Sequence, residues 1–402
     1  MKIPLSNPYL SSLEKQLVLQ VLNSSQLSQG PQLDRFENKM AQYIGSRHAV
    51  AVNSGTSALH LCIKSLGIGE NDQVITTPFS FIASANCMLY ERAKPVFVDI
   101  NPNTYNIDAD HISEKITART KAILPVHVFG LPCDMVKIRA IAQKHHLYII
   151  EDACEAIGAD CLVDAVPQGQ AIKLSSQKVG SIGDCGVFGF YPNKQITTGE
   201  GGMIVTNEEK IAMNCRSLRN QGRSENSMWL EHEQLGYNYR LSEVNCALGI
   251  AQLTKIHLLL AARARVARWY SERLSNVADI ILPPHAVNCR RSWFVYVIRL
   301  RDHYGRKDRN KIMNSLKSYG IDCRDYFPPI HLQPFYAEMF SYRRGDFPNT
   351  EKVADRTIAL PFFATMTEAQ VHHVCKILYR IMRNYKYMRH DFMAVNNQII
   401  AN

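Results

Sequence analysis

The chain has 402 residues, 46% of them hydrophobic and 20% charged, a balance that excludes a disordered chain and supplies apolar material for a large core, enough for two domains. Lys and Arg number 46 against 36 Asp and Glu, a formal charge of +10; this suits anionic small substrates, but the basic residues are scattered apart from a loose cluster over Arg299–Lys311, so nucleic acid is not an expected partner. No run of 18 apolar residues marks a membrane span, MKIPLSNPYLSSLEKQ lacks the apolar core of a signal peptide, and 11 cysteines without a CxxC pair or metal-ligand spacing, Cys154 and Cys161 included, are expected as reduced thiols of a cytoplasmic enzyme that binds no metal.

In chain order, SSLEKQLVLQVL (Ser11–Leu22) and LDRFENKMAQYI (Leu33–Ile44) carry apolar residues at helical spacing, the second ending at Gly45, with a turn-like SQLSQGPQ between them. A strand–helix alternation follows. HAVAV (His48–Val52) is a short strand that breaks at Ser54-Gly55-Thr56 into the helix SALHLCIKSL (Ser57–Leu66). QVITTP (Gln73–Pro78) is a strand before the helix FIASANCMLY (Phe81–Tyr90), and PVFVDI (Pro95–Ile100) and KAILPVHVFG (Lys121–Gly130) are further buried strands. The helix MVKIRAIAQKHH (Met135–His146) feeds the strand LYIIED (Leu147–Asp152). From Ala159 to Gly183 the pattern loosens into an expected exposed hairpin or loop, then resumes in the strands CGVFGFY (Cys185–Tyr191) and GGMIVT (Gly201–Thr206).

EEKIAMNCRSLRNQG (Glu208–Gly222) reads as a helix, Leu241–Leu274 as mainly helical, WFVYVIRL (Trp293–Leu300) as a strand, and Gly305–Gly320 and Glu368–Met382 as helix-bearing. The tail from Asn384 is expected to be partly mobile. The alternation is that of an α/β protein whose central sheet is covered on both faces. A domain change near Leu253–Leu260 divides it into a large unit, 1–255, with the N-terminal helices, and a smaller one, 256–402, with a connecting helix and the tail.

Four stretches carry candidate chemistry. In AVNSGTSALHL (Ala51–Leu61) a strand passes through Ser54-Gly55-Thr56 into a helix; amides at such a helix start receive phosphate, and the hydroxyls of Thr56 and Ser57 add donors, although an ordinary helix cap has the same look. In YIIEDACEAIGA (Tyr148–Ala159) Asp152 closes a buried strand, where open α/β sheets place ligands; it either pairs with a protonated pyridine nitrogen or caps a helix. In TTPFSFIASAN (Thr76–Asn86) Phe81 is a stacking platform for an aromatic ring or a core residue. In FYPNKQITTGEGG (Phe190–Gly202) Lys194 stands between an aromatic run and a glycine-rich turn, either as a solvated charge or as a nucleophilic amine. An anion cradle, a ring platform, a carboxylate for a ring nitrogen and an amine for an aldehyde together match pyridoxal 5'-phosphate.

With these residues in place, the sequence resembles the DegT/StrS-type sugar aminotransferases, a branch of the fold-type-I pyridoxal-phosphate enzymes, from IPLSNPYL (Ile3–Leu10) to IALPFF (Ile358–Phe363); FYPNKQITTGEGG and LGYNYRLSEVNCALGIAQL (Leu235–Leu253) are the most specific stretches. The resemblance implies an α/β fold-type-I transferase, with a large domain built on a mixed, mostly parallel central sheet and a smaller C-terminal α+β domain. It makes Lys194 the amine that bonds the cofactor aldehyde, Asp152 the pyridine-nitrogen partner, Phe81 the ring cover, and Gly55, Thr56 and Ser57 the phosphate turn. Asn238, by itself an ordinary turn residue, matches a residue that reaches the phosphate of a neighbouring subunit, so a homodimer with shared active sites is implied. Two departures stand out. Gly189 replaces a serine that helps hold phosphate in many relatives, leaving that share to Asn193, Tyr191 or water, and Glu155 replaces a glutamine near the ring hydroxyl. A sister group with histidine at the lysine position dehydrates sugars, so Lys194 favours amino transfer.

The implied reaction moves an amino group, from L-glutamate in relatives, to a keto group on a nucleotide-linked deoxysugar. RDYFPPIHLQPFY (Arg324–Tyr336) resembles the segment that enters the site from the second domain; Arg324 is expected at a sugar or phosphate, His331 at a sugar hydroxyl, and Tyr191 and Tyr326 at the pocket wall, with Ser6–Leu10 and Ser28–Gly30 at its entrance. A non-sugar ketone such as an aminocyclitol precursor is the alternative substrate class, and a non-catalytic regulator that kept the fold is the alternative function.

Overall fold

The computed structural model describes residues 1–164, 174–223, 228, 231–284 and 288–400. The strands are β1 (His48–Val52), β2 (Gln73–Thr76), β3 (Lys94–Phe97), β4 (Thr120–Ile123), β5 (Tyr148–Asp152), β6 (Asp160–Asp164), β7 (Leu174–Lys178), β8 (Cys185–Gly189), β9 (Gly202–Thr206), β10 (Ile280–Ile281), β11 (Cys289–Arg290), β12 (Tyr296–Leu300) and β13 (Thr357–Leu360). The helices are α1 (Ser12–Leu22), α2 (Pro31–Ile44), α3 (Gly55–Ser65), α4 (Ala83–Leu89), α5 (Met135–His145), α6 (Glu209–Arg219), α7 (Glu243–Thr254), α8 (Ile256–Leu274), α9 (Arg306–Ser318), α10 (Pro334–Phe340), α11 (Pro348–Ala354) and α12 (Glu368–Ile400).

Seven strands form one sheet in the order β1-β9-β8-β5-β4-β2-β3. All neighbours in it are parallel except those of β9, which runs against β1 and β8. Strand alternation splits each strand between two cores: Ala49 and Ala51 face the side holding Phe36, Met40 and Ile250, while Val50 and Val52 face the side holding Leu59, Ile63 and Ile204. Burial on both faces explains why these strands read as unbroken apolar runs. The sheet also fixes the site. The C-terminal ends of β1, β2, β5 and β8 lie at one edge, so the turns that follow them gather Gly55, Phe81, Asp152 and Lys194 there.

The C-terminal part has its own three-stranded sheet, β10-β12-β13, and its own apolar core, in which Tyr270 of α8, Tyr296 of β12, Leu316 of α9 and Leu378 of α12 are buried. The N-terminus is stitched to this part, because Ile3 is buried in the same core and bridges Ile321. Glu243, the first residue of α7, is 1% exposed and accepts from the amides of Gly30, Gln32 and Leu33, so it satisfies the open start of α2 from outside that helix. It also packs over Gly30, where a Cβ would meet Glu243 Oε2 at 2.8 Å. No single helix among the described residues is long and apolar enough to cross a membrane; α7 and α8 together are, but they bend by 65°.

Two sequence expectations change. The strand expected over Lys121–Gly130 stops at Ile123; Pro125 follows, and Phe129 and Gly130 both take positive φ, which turns the chain. In the Ala159–Gly183 segment, expected as an exposed hairpin or loop, β6 and β7 pair antiparallel and their base is packed, while residues 165–173 between them lie outside the described residues. Cys161 is 4% exposed, and β11 pairs with β6 along its other edge. The tail from Asn384 continues α12, which runs without a break to Ile400.

Candidate active site

Where the four turns meet there is a cavity of about 670 Å³, lined by Ser54, Gly55, Thr56, Phe81, Asp152, Glu155, Tyr191, Asn193, Lys194, Phe294 and Tyr326 among others. One wall is the start of α3. Ser54 is extended and its Oγ accepts from the amide of Ser57, a normal N-cap, which leaves the first-turn amides pointing outward. The approach is close because both sides are glycine. A Cβ on Gly55 would meet Cys154 Sγ at 3.0 Å and Gly189 Cα at 3.5 Å, and a Cβ on Gly202 would meet Ser54 O at 2.4 Å. Ser57 faces inward instead: its hydroxyl donates to Asn53 Oδ1 at 2.7 Å, and it is not among the residues lining the cavity.

Asp152 sits at the base, 5% exposed. Its Oδ2 accepts from Ser84 Oγ at 2.7 Å and its Oδ1 from the Cys154 amide at 3.1 Å; Ser84 is in turn held by Ser80 at 2.7 Å. These bonds aim the carboxylate and leave each oxygen a further lone pair. Phe81 stands at the rim and is 62% exposed, a large aromatic face turned to the opening rather than to the core.

Lys194 lies in the turn after β8, its amide donating to Tyr191 O at 2.9 Å. The side chain is 15% exposed. Its Nζ is 3.7 Å from Glu155 Oε1 and 4.0 Å from the centre of the Phe294 ring, a carboxylate and an aromatic face that both hold an ammonium group. Glu155 also accepts from the Phe129 amide at 2.8 Å; burial pushes its pKa up, against the pull of Lys194. Tyr191 and Tyr326 line the cavity as expected from their positions, and burial pushes the Tyr326 hydroxyl up to about 12.

The structure places other expected residues elsewhere. His331 is fully buried, its Nε2 lies 3.1 Å from Glu351 Oε1, and it is not among the residues lining the cavity; burial holds its pKa down. Arg324 turns to Asp322, with Nη1 2.8 Å from Oδ1, while its neighbour Asp325 lines the cavity. Asn238 is exposed on a segment that bridges Asn220 and does not line this chain's own cavity.

The sequence reading missed three contributors. Ser84 orients Asp152 and was legible only as a small residue in a helix. Phe294 comes from a segment one hundred residues after Lys194. Arg263, 3% exposed, has no local signal at all: its guanidinium donates to Phe294 O at 2.9 Å, Lys194 O at 2.8 Å and Asn193 O at 3.3 Å, so α8 holds both the turn that carries the amine and the ring beneath it.

Residues 8–379 match the model of the DegT/DnrJ/EryC1/StrS aminotransferase family. The chain belongs to this family. It is a pyridoxal-phosphate-dependent aminotransferase. It is similar over most of its length to proteins with sugar-linked names. One is the GDP-perosamine synthase of Caulobacter vibrioides, 38% identical over 383 residues that cover 95% of this chain and 98% of the relative. Another is the UDP-N-acetyl-3-dehydro-alpha-D-glucosamine 3-aminotransferase of Acidithiobacillus ferrooxidans, 34% identical over 381 residues that cover 94% and 95%. Among solved structures, DesV of S. venezuelae, in complex with a ketimine intermediate, superposes with a TM-score of 0.85 at 31% identity, covering 94% of this chain and 98% of that one.

The residues present fit the family's cofactor. A phosphate has amides at the start of α3, a ring has Phe81 above it, a pyridine nitrogen has Asp152, and an aldehyde has Lys194, all on one cavity. Asn193 Oδ1, buried in the cavity wall, has no hydrogen-bond partner among the described residues, a polar atom left for a bound molecule to satisfy.

Proposed function

We propose that this aminotransferase moves an amino group, from L-glutamate, to the keto group of a nucleotide-linked deoxysugar, and that it works as a homodimer with shared sites. The observation that carries the reading is the position of Lys194 Nζ: it is 15% exposed, faces a cavity that also holds Asp152, and opens toward Tyr191, Asp325 and Tyr326. The relatives that bear the names of enzymes acting on GDP- and UDP-linked sugars support the sugar assignment. The formal charge of +10 suits a nucleotide diphosphate.

When bound, pyridoxal phosphate supplies an aldehyde that carries the amino group and a ring that accepts electron pairs from the substrate carbon. Asp152, fixed by Ser84 and the Cys154 amide, would hold a proton on the ring nitrogen and so keep the ring electron-poor. The amides of Gly55 and Thr56 would anchor the phosphate, and Phe81 would cover one face. Lys194 Nζ would move a proton between the substrate carbon and the carbon of the cofactor's aldehyde group. Glu155 and Phe294 keep that amine over the reacting atoms. Tyr191 and Tyr326 flank the sugar. His331 and Arg324 are not assigned to it.

The test is a pair of half-reactions on the purified holoenzyme, followed by absorbance and mass. Glutamate should bleach the visible band, and a keto-sugar nucleotide should restore it while gaining nitrogen. Other amines serve as controls for the donor. Amination of a cyclitol ketone in preference to every keto sugar would overturn the sugar assignment, and no turnover with any ketone or amine would favour a regulator.

A further inference from the structure

The segment Tyr237-Asn238-Tyr239 is extended and is held along its backbone. The amides of Tyr237 and Tyr239 donate to Leu218 O at 2.6 Å and Arg219 O at 3.0 Å, and Tyr239 O accepts from the Asn53 amide at 2.9 Å. In an extended chain alternate side chains point to opposite faces. The two tyrosines therefore share one face, stacked with ring centres 4.9 Å apart and an interplanar angle of 12°, and Asn238 is presented on the other, where it is exposed.

Both tyrosine hydroxyls end in one polar cluster. Tyr237 Oη donates to Glu91 Oε1 at 2.9 Å, and Tyr239 Oη lies 3.1 Å from His60 Nδ1. His60 Nε2 is 2.8 Å from the same Glu91 Oε1, and Lys64 Nζ donates to Glu91 Oε2 at 2.8 Å. Glu91 thus joins three groups: His60 and Lys64 of α3, and the tyrosine that precedes Asn238. The other end of α3 is the anion cradle, and the link is short, because Asn53, which holds Tyr239 O, also accepts from Ser57 in the first turn of that helix. None of these side chains lines the cavity.

We propose that Glu91 is a positioning residue for Asn238: through Tyr237 and His60 it sets the register of the segment that offers Asn238 to the cofactor phosphate of a second copy of this chain. The proposal rests on the reading of a homodimer with shared sites. It gives α3 two roles. Its N-terminus holds the chain's own phosphate, and its later turns, with His60 and Lys64 against Glu91, aim the residue lent to the partner.

A double-mutant cycle on pyridoxal-phosphate affinity tests this, with dimerisation measured by sedimentation and folding by circular dichroism. N238A should weaken cofactor binding about 10-fold, the worth of one hydrogen bond to a charged oxygen. E91A should weaken it to a similar degree while the dimer persists, and the E91A/N238A pair should be no weaker than N238A alone. Y237F removes only the hydroxyl that reaches Glu91 and keeps the stacked ring; it should give part of the E91A loss, and it stands in if E91A does not fold. Wild-type affinity in E91A and Y237F, or losses that add in full to N238A, would overturn the positioning role. Wild-type affinity in N238A would instead overturn the shared-site reading on which it rests.

Discussion

Arg263 carries a positive charge into a place with no carboxylate paired to it among the described residues, and burial pushes its pKa down to about 10. What it gains is three backbone carbonyls, those of Asn193, Lys194 and Phe294. Arg263→Met keeps much of the packing near Phe362, whose ring centre is 5.7 Å from the guanidinium carbon, and removes the donors. Stranding a buried carbonyl costs about 1–3 kcal/mol, so two good bonds and one long one set a gross loss of about 3–6 kcal/mol. Relief from burying an unpaired guanidinium opposes this by about 3–4 kcal/mol, since the depression from 12.5 to about 10 corresponds to about 1.4 kcal/mol per pKa unit. The net expectation is a loss of up to about 3 kcal/mol, with a larger effect on catalysis, because the turn bearing Lys194 and the ring under it lose a common support. Urea unfolding of wild type and variant, with the midpoint shift read at constant slope, measures the first part, and single-turnover rates with saturating glutamate measure the second. A variant as stable as wild type with an unchanged single-turnover rate would refute the argument that this guanidinium organises the site.

Asp152→Asn keeps the bonds at the base of the cavity but removes the charge that retains a ring proton; turnover should fall about 10²-fold or more with cofactor still bound, checked by steady-state rates and bound-cofactor absorbance. Gly202→Ala places a Cβ 2.4 Å from Ser54 O, so the start of α3 must shift; overpacking of this kind costs about 1–3 kcal/mol, and cofactor affinity should fall, as read by titration. Glu14 is 1% exposed and is held down to about 2 by Lys255, the Ser11 side chain and amide, and Gln252, against the opposing effect of burial. Its folded pKa is below its ordinary value, so it contributes up to about 3 kcal/mol above pH 4.5 that is lost as pH falls toward 2; the Glu14→Gln variant should show a flatter stability curve over that window in urea melts.

Much of the sheet could be read from the chain because its strands are apolar on both faces: HAVAV occupies the span expected for it. The site residues Gly55, Phe81, Asp152 and Lys194 were legible for a related reason. Each follows the C-terminal end of a strand, and parallel packing brings those ends to one edge. The reading failed where a local pattern met a distant partner. Val126–Gly130 looked like a strand, but Pro125 lacks an amide donor and the next residues turn. His331 looked available in a polar stretch, yet Glu351 holds it in the interior. Arg263 and Glu91 gave no signal, since their partners lie tens to more than a hundred residues away.

The account depends on Lys194 forming the covalent link to pyridoxal phosphate. Borohydride reduction of the holoenzyme, followed by peptide mass mapping, tests this directly. The cofactor mass should appear on the peptide containing Lys194, and the Lys194→Ala protein should carry none. Stoichiometric labelling of a different lysine in the wild-type protein would contradict the account.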